Sequence, residues 1–166
     1  MRPHDLVVLL KIASKGQENW LMKDLANELE ISGSEISESL NRSAIAGLIS
    51  GDKRKLRILS LLDFLRFGLR YVYPQQHGAI VRGIVTAHSA PPLKNKILSE
   101  ESYVWPYAKG SSRGQSIEPL HPKIPNACLT NSRFYELMAL TDAIRIGKAR
   151  EQKMAFEMIK ERIGND

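Results

Sequence analysis

Along the first third of the chain, apolar residues recur at helical spacing and polar breaks separate the stripes. Leu6, Leu9, Leu10 and Ala13 follow Pro3 on one side, which predicts a helix from about residue 3 to Ser14, ending before Gly16. KGQENW is then a polar connection in which Trp20 is expected to anchor in the core. Leu21, Leu25 and Leu29 sit four apart with Ala26 beside them, so Lys23 to Leu29 predicts a short second helix that stops at Glu30. Ile31, Ser32, Glu35 and Ile36 have the spacing of a capping box fastened by a hydrophobic staple, which predicts the start of a third helix. At 100° per residue, Ile36, Leu40, Gly47 and more loosely Ala44 and Leu48 turn inward, while Ser34, Ser37, Glu38, Asn41, Arg42 and Ile45 turn outward.

Beyond this unit the pattern changes. Asp52 is placed to cap a fourth helix, and Leu56, Leu59, Leu62 and Leu65 carry it from Lys53 to Phe67. Leu69 to Tyr73 and Ala79 to Thr86 are rich in Val, Ile and Tyr around the turn material PQQHG, which predicts a β-hairpin bearing Arg70 and Arg82. From Ala87 to Leu129 periodicity fails and prolines gather, so a long irregular segment is expected there. Tyr103, Trp105 and Tyr107 argue that this segment docks on a surface, and they are its candidate partner-binding residues. Ser132 to Ile163 is expected to be mostly helical, interrupted near Gly147, and either dimerises or folds back over its own core. The expected fold class is therefore mainly α with a small β-hairpin. It divides into residues 1–87, a DNA-binding type of unit, and 88–166, an irregular wrapping segment plus a C-terminal helix.

Composition narrows the chemistry. The 166 residues suit one domain or a small domain with an appendage, and no apolar run reaches membrane-spanning length, so a cytoplasmic protein without a membrane partner is expected. The net charge of +6 favours a polyanionic partner, but its distribution is uneven. Residues 1–60 carry nine Lys and Arg against eight Asp and Glu, whereas residues 61–135 carry nine against four. Close to the third helix, only Lys53, Arg54, Lys55 and Arg57 form a concentrated run, and these are candidate phosphate contacts together with Arg70 and Arg82. The four histidines, His4, His77, His88 and His121, have no metal-ligand spacing, Cys128 stands alone, and neither a phosphate loop nor a nucleophile elbow occurs. No catalytic residue, metal or cofactor is assigned.

Two short helices joined by a tight turn, the second with a short polar outer face, have the form of a helix-turn-helix whose second helix reads base edges. A three-helix packing unit with a solvated face has the same pattern. The string DLANELEISGSEISESLNRSAIAGLI resembles bacterial winged helix-turn-helix regulators of the MarR-like kind, in its DLAxxL, its serine-led turn and its closing AGLI. That resemblance implies a winged helix-turn-helix in which Ser34, Ser37, Glu38, Asn41 and Arg42 contact double-stranded DNA. The strings GLRYVYP, RGIVTAHSAPPL, VWPYAKG, EPLHPKIP and FYELMALTDAIRIGKARE are similar to a group of bacterial winged-helix proteins associated with nucleotidyltransferase-type toxin genes. They imply an autorepressing antitoxin that also binds a cognate toxin enzyme, and a homodimer through the terminal helix is expected because two half-sites need two copies of the recognition helix. The alternative is a toxin-masking, protein-binding module in which the helix-turn-helix serves only as scaffold. A hydrolase whose site the sequence does not advertise is a third, weaker reading.

Overall fold

The computed structural model describes residues 1–164 and shows a mixed α/β chain in which helices dominate and three short strands form one small sheet. Asn165 and Asp166, the end of the expected second unit 88–166, lie outside the described residues.

Helix α1 (Pro3–Ser14) lies at the centre. Pro3 opens it, the Arg2 N–H donates to the Asp5 carboxylate at 2.7 Å, and every residue from Asp5 to Ser14 is buried. A helix buried all round must satisfy its charges internally. Lys11 does so with Glu28 at 3.0 Å, with its ammonium 4.8 Å from the centre of the Phe134 ring. Helix α2 (Met22–Leu29) starts where the Leu21 N–H donates to Asp24 and stops at Glu30, which takes the left-handed conformation at φ 54°. Leu21 itself is outside the stripe predicted for it and half exposed. Helix α3 (Gly33–Ile45) begins at Ser32, whose hydroxyl accepts from the Glu35 N–H at 3.2 Å. Ile31, Ile36 and Leu40 join the core.

The chain then corrects two expectations. No helix begins at Lys53, because residues 48–57 form a tight hairpin with one β-bridge, Ile49 to Leu56. Ser50 and Arg57 N–H groups donate to Lys55 and Leu48 carbonyls, and Asp52 caps the turn between them through the Arg54 N–H. The helix starts only afterwards, as α4 (Ile58–Asp63), and runs through one π turn (Phe64–Gly68) into α5 (Leu69–Val72). Leu69–Tyr73, expected as a strand, is thus helical up to Val72. Leu61, Leu65 and Leu69 recur every four residues, and this buried stripe outweighs the strand preference of Tyr71 and Val72.

The sheet is made of β1 (Ile80–Val85), β2 (Tyr103–Pro106) and β3 (Ser112–Ser116), each strand paired with the other two. β1 runs antiparallel to both, and β2 and β3 are parallel. Closing a sheet on three strands brings backbones close together. A Cβ at Gly83 would collide with the Trp105 carbonyl oxygen, so only glycine fits there.

Helices α6 (Ile124–Cys128), α7 (Ser132–Ile146) and α8 (Ala149–Ile163) complete the chain. α7 starts where the Asn131 side chain accepts from the Phe134 N–H at 2.9 Å, and it packs against α1. Gly147 breaks the helical run, and α8 folds back onto α7 with Ala155, Ile159 and Ile163 buried four residues apart. The segment expected to be irregular, Ala87–Leu129, is fastened to α7 by one buried polar hub. Asp142 accepts from Trp105 Nε1 at 2.6 Å, from Thr86 Oγ1 at 2.8 Å and from Arg145 at 2.8 Å. Arg145 in turn donates to the carbonyls of Tyr73 and Glu118.

Candidate nucleic-acid interface

The N-terminal turn of α3 differs from the expected capping box in one respect that changes its chemistry. Ser32 caps as expected, but the Glu35 carboxylate does not reach back to it. Glu35 instead accepts from His4 Nε2 at 2.7 Å and Arg42 Nη2 at 3.0 Å. Further along the helix, Arg42 turns away from solvent towards α1 and places Nε and Nη2 on the two oxygens of Asp5 at 2.9 and 2.8 Å. A two-point guanidinium–carboxylate pair of this kind is directional and strong. Burial pushes the Asp5 carboxyl up, but Arg42, the Arg2 N–H and the neighbouring Ser39 together hold it below the usual carboxylate range. The Ser43 hydroxyl is buried here as well and finds no hydrogen-bond partner among the described residues. Small side chains at these positions suit the close packing of α3 on α1.

Arg42 is therefore not on the outward face where its helical position placed it. What remains outward is Ser34, Glu38 and Ile45, all exposed, with Ser37 and Asn41 half-buried beside them. Ile45 keeps 88% of its surface in water. Asn41 makes no side-chain hydrogen bond among the described residues, so both its amide donors and its carbonyl are free.

The hairpin that follows α3 presents Arg54, Lys55 and Arg57 to solvent, with Lys53 half-buried at its turn. Lys53 takes the left-handed conformation at φ 61°, and the tight 50–55 turn aims these side chains away from the core. None of the four pairs with a carboxylate among the described residues, whereas Lys11, Lys15, Arg42, Arg145 and Arg162 each do. The hairpin expected to carry the two other candidate cations is absent, and they part company. Arg70 lies on α5, donates to Gln152 at 2.9 Å and covers the Tyr71 ring. Arg82 is exposed on β1 and stands directly across the ladder from Arg113. Like charges opposite one another are unfavourable in a sheet unless an anion lies between them. No motif in the sequence singles out Arg113, although the cationic excess of residues 61–135 contains it.

The three aromatic candidates also separate. Trp105 has no exposed surface and its indole N–H is committed to Asp142, so it is a core residue and cannot anchor a partner. Tyr107 is half-buried on the sheet rim near Asn126. Tyr103 stacks on His77 and meets His88 edge-on, at the wall of a cavity of about 500 Å³ that also touches Glu101, Lys148 and Glu151. Burial pushes the Tyr103 phenol up, with Glu101 and Glu151 adding to the shift. A second cavity, of about 480 Å³, lies between Trp20 and the hairpin residues Arg54, Lys55 and Leu56. Among the described residues no three His, Cys, Asp or Glu side chains come together as metal ligands. Cys128 is buried, and that burial pushes its thiol up and away from the reactive thiolate. No helix is long and apolar enough to cross a membrane among the described residues. Family models, curated proteins and solved structures return no match to this chain.

Proposed function

We propose that the protein is a sequence-specific regulator that binds double-stranded DNA, with α2, the 30–32 turn and α3 acting as a helix-turn-helix. In this reading α3 enters the major groove with Ser34, Ser37, Glu38 and Asn41 towards the base edges, and the 48–57 hairpin takes the place of a short wing. The observation that supports it is the contrast in charge. Among the described residues the hairpin cations beside α3 form no ion pairs, while basic side chains packed into the body of the protein are each neutralised by a carboxylate. Free lysines and arginines beside a helix with small polar side chains suit phosphate contact, which sets affinity and orientation, next to base contact, which sets sequence preference. Glu38 suits acceptance from a cytosine amine.

Selection from random duplexes followed by fluorescence anisotropy at several salt concentrations tests this. The wild type should enrich a defined site, with log affinity falling linearly in log salt. Replacing Lys53, Arg54, Lys55 and Arg57 together by Gln should weaken binding to all sequences alike and reduce the salt slope by about 0.9 for each phosphate no longer neutralised. An unchanged slope, or no enriched sequence, would overturn the proposal.

A further inference from the structure

The outward face of the α4–α5 helix is more apolar than water favours. Leu59, Phe67 and Tyr71 keep 79%, 63% and 74% of their surface exposed, and Val72 lies beside them at 53%. Exposed large apolar side chains scattered singly need no explanation, but three in one row of a helix, with Val72 at its edge, make a patch. Arg66 lies 5.0 Å from the Phe67 ring centre and 5.3 Å from that of Phe156 on α8, which joins the face to the neighbouring helix. Asp63 is exposed in the same row, and neither it nor Arg66 nor Arg70 belongs to a salt bridge among the described residues.

We propose that this face seats a second copy of the same chain, in an antiparallel pairing about a two-fold axis near the middle of the helix. The charge pattern selects that occupant. A row holding a carboxylate and two guanidinium groups, none of them in an ion pair among the described residues although Arg70 also donates to Gln152, is complementary to its own reversed copy: Asp63 of one copy comes to the Arg66–Arg70 side of the other, and Leu59 comes to the Tyr71 end. A polyanion or an anionic lipid surface would match the two arginines but leave Asp63 facing like charge, whereas a reversed copy pairs both signs. The area is also sufficient. Side chains this exposed offer on the order of 100 Å² each. The four in both copies, with the flanking arginines, thus reach roughly the 1,000 Å² that separates specific interfaces from incidental ones. The pairing uses none of the α3 and hairpin residues assigned to DNA contact, and it stands or falls independently of DNA binding.

Sedimentation velocity of the full chain, from micromolar to hundreds of micromolar, tests the proposal. A concentration-dependent dimer of the 18.7 kDa chain is expected. The double variant Phe67→Glu, Tyr71→Glu should weaken dimerisation about a hundredfold or more, since central aromatic anchors carry most of such an interface and each substitution acts twice. Its melting temperature should stay near that of the wild type because both side chains lie outside the core. Leu98→Glu, at an exposed position off this face, should leave the dimer intact. Asp63→Arg should weaken it at least tenfold, and adding Arg70→Asp should restore it, a rescue that nonspecific apolar association does not give. A monomer at every concentration overturns the proposal, as does a dimer indifferent to Phe67→Glu and Tyr71→Glu. Monomers that float with phosphatidylglycerol vesicles overturn it in favour of a lipid surface. A failed DNA-binding assay leaves these outcomes untouched.

Discussion

Arg42→Ala distinguishes a structural arginine from a base-reading one. Asp5 has no exposed surface, and Arg42, with 22% of its side chain exposed, covers both its oxygens. Removing one partner of a buried ion pair leaves the other charge stranded, at a cost of about 3–5 kcal/mol. Here Asp5 keeps the Arg2 N–H and Arg42 is partly solvated, so a loss of about 2–3 kcal/mol is expected. For a chain of this size that lowers the melting temperature by about 5–10 °C. The pH dependence has a definite sign. Because the folded Asp5 carboxyl is held below its ordinary value of 3.8, its contribution is present above that value and is lost as pH falls through the folded one. Without Arg42, burial dominates and raises the Asp5 carboxyl. The gap between wild type and variant in urea unfolding should therefore be full at pH 7 and shrink as pH falls, first through the raised carboxyl of the variant above 3.8 and then towards the lowered one of the wild type. Asp5→Asn combined with Arg42→Ala removes the stranded charge and should be less destabilised than Arg42→Ala alone. A loss below about 0.5 kcal/mol at pH 7, within the range of ordinary surface substitutions, would refute the assignment. So would a gap that does not change with pH.

Asn41→Ala, at a position whose amide is free, should lower the discrimination between the selected site and random duplex by about 1–3 kcal/mol with little change in stability, as read by competition anisotropy. Trp105→Phe should destabilise the fold by about 1–3 kcal/mol in urea titration, because the Asp142 carboxylate loses a buried donor and the smaller ring leaves a void. Gly83→Ala should prevent the three strands from closing, seen as loss of near-ultraviolet circular dichroism, since the added methyl meets the Trp105 carbonyl. Cys128 should react with a thiol reagent only at the rate of unfolding, because it is buried and its thiol is held protonated.

The sequence by itself determined the local elements whose signals lie within one or two turns of each other. Helix α1 with its proline, the stop at Glu30, the Ser32 cap and the break at Gly147 were all legible, since caps and stripes depend on neighbours three or four residues away. The inward side of α3 was legible for the same reason, and so was the run of hairpin cations. Tertiary structure decided where ambiguous or distant groups went. A helical wheel puts Arg42 outward, but a guanidinium reaches far from its Cα, and Asp5, 37 residues earlier, supplies the carboxylate that turns it inward. Leu69–Val72 suits a strand or a helix equally by composition, and the core beneath α5 chose. Tyr103–Pro106 is only four residues long and ends in proline, and Ser112–Ser116 is built of serine, glycine and polar residues, so neither announces itself, and both exist because Ile80–Val85 pairs with them. Trp105 suits an interaction surface by composition, but Asp142, 37 residues later, takes its N–H into the interior. Periodicity is set by each residue's near neighbours, whereas partner choice for a long polar side chain or a short strand depends on what the rest of the chain brings within reach.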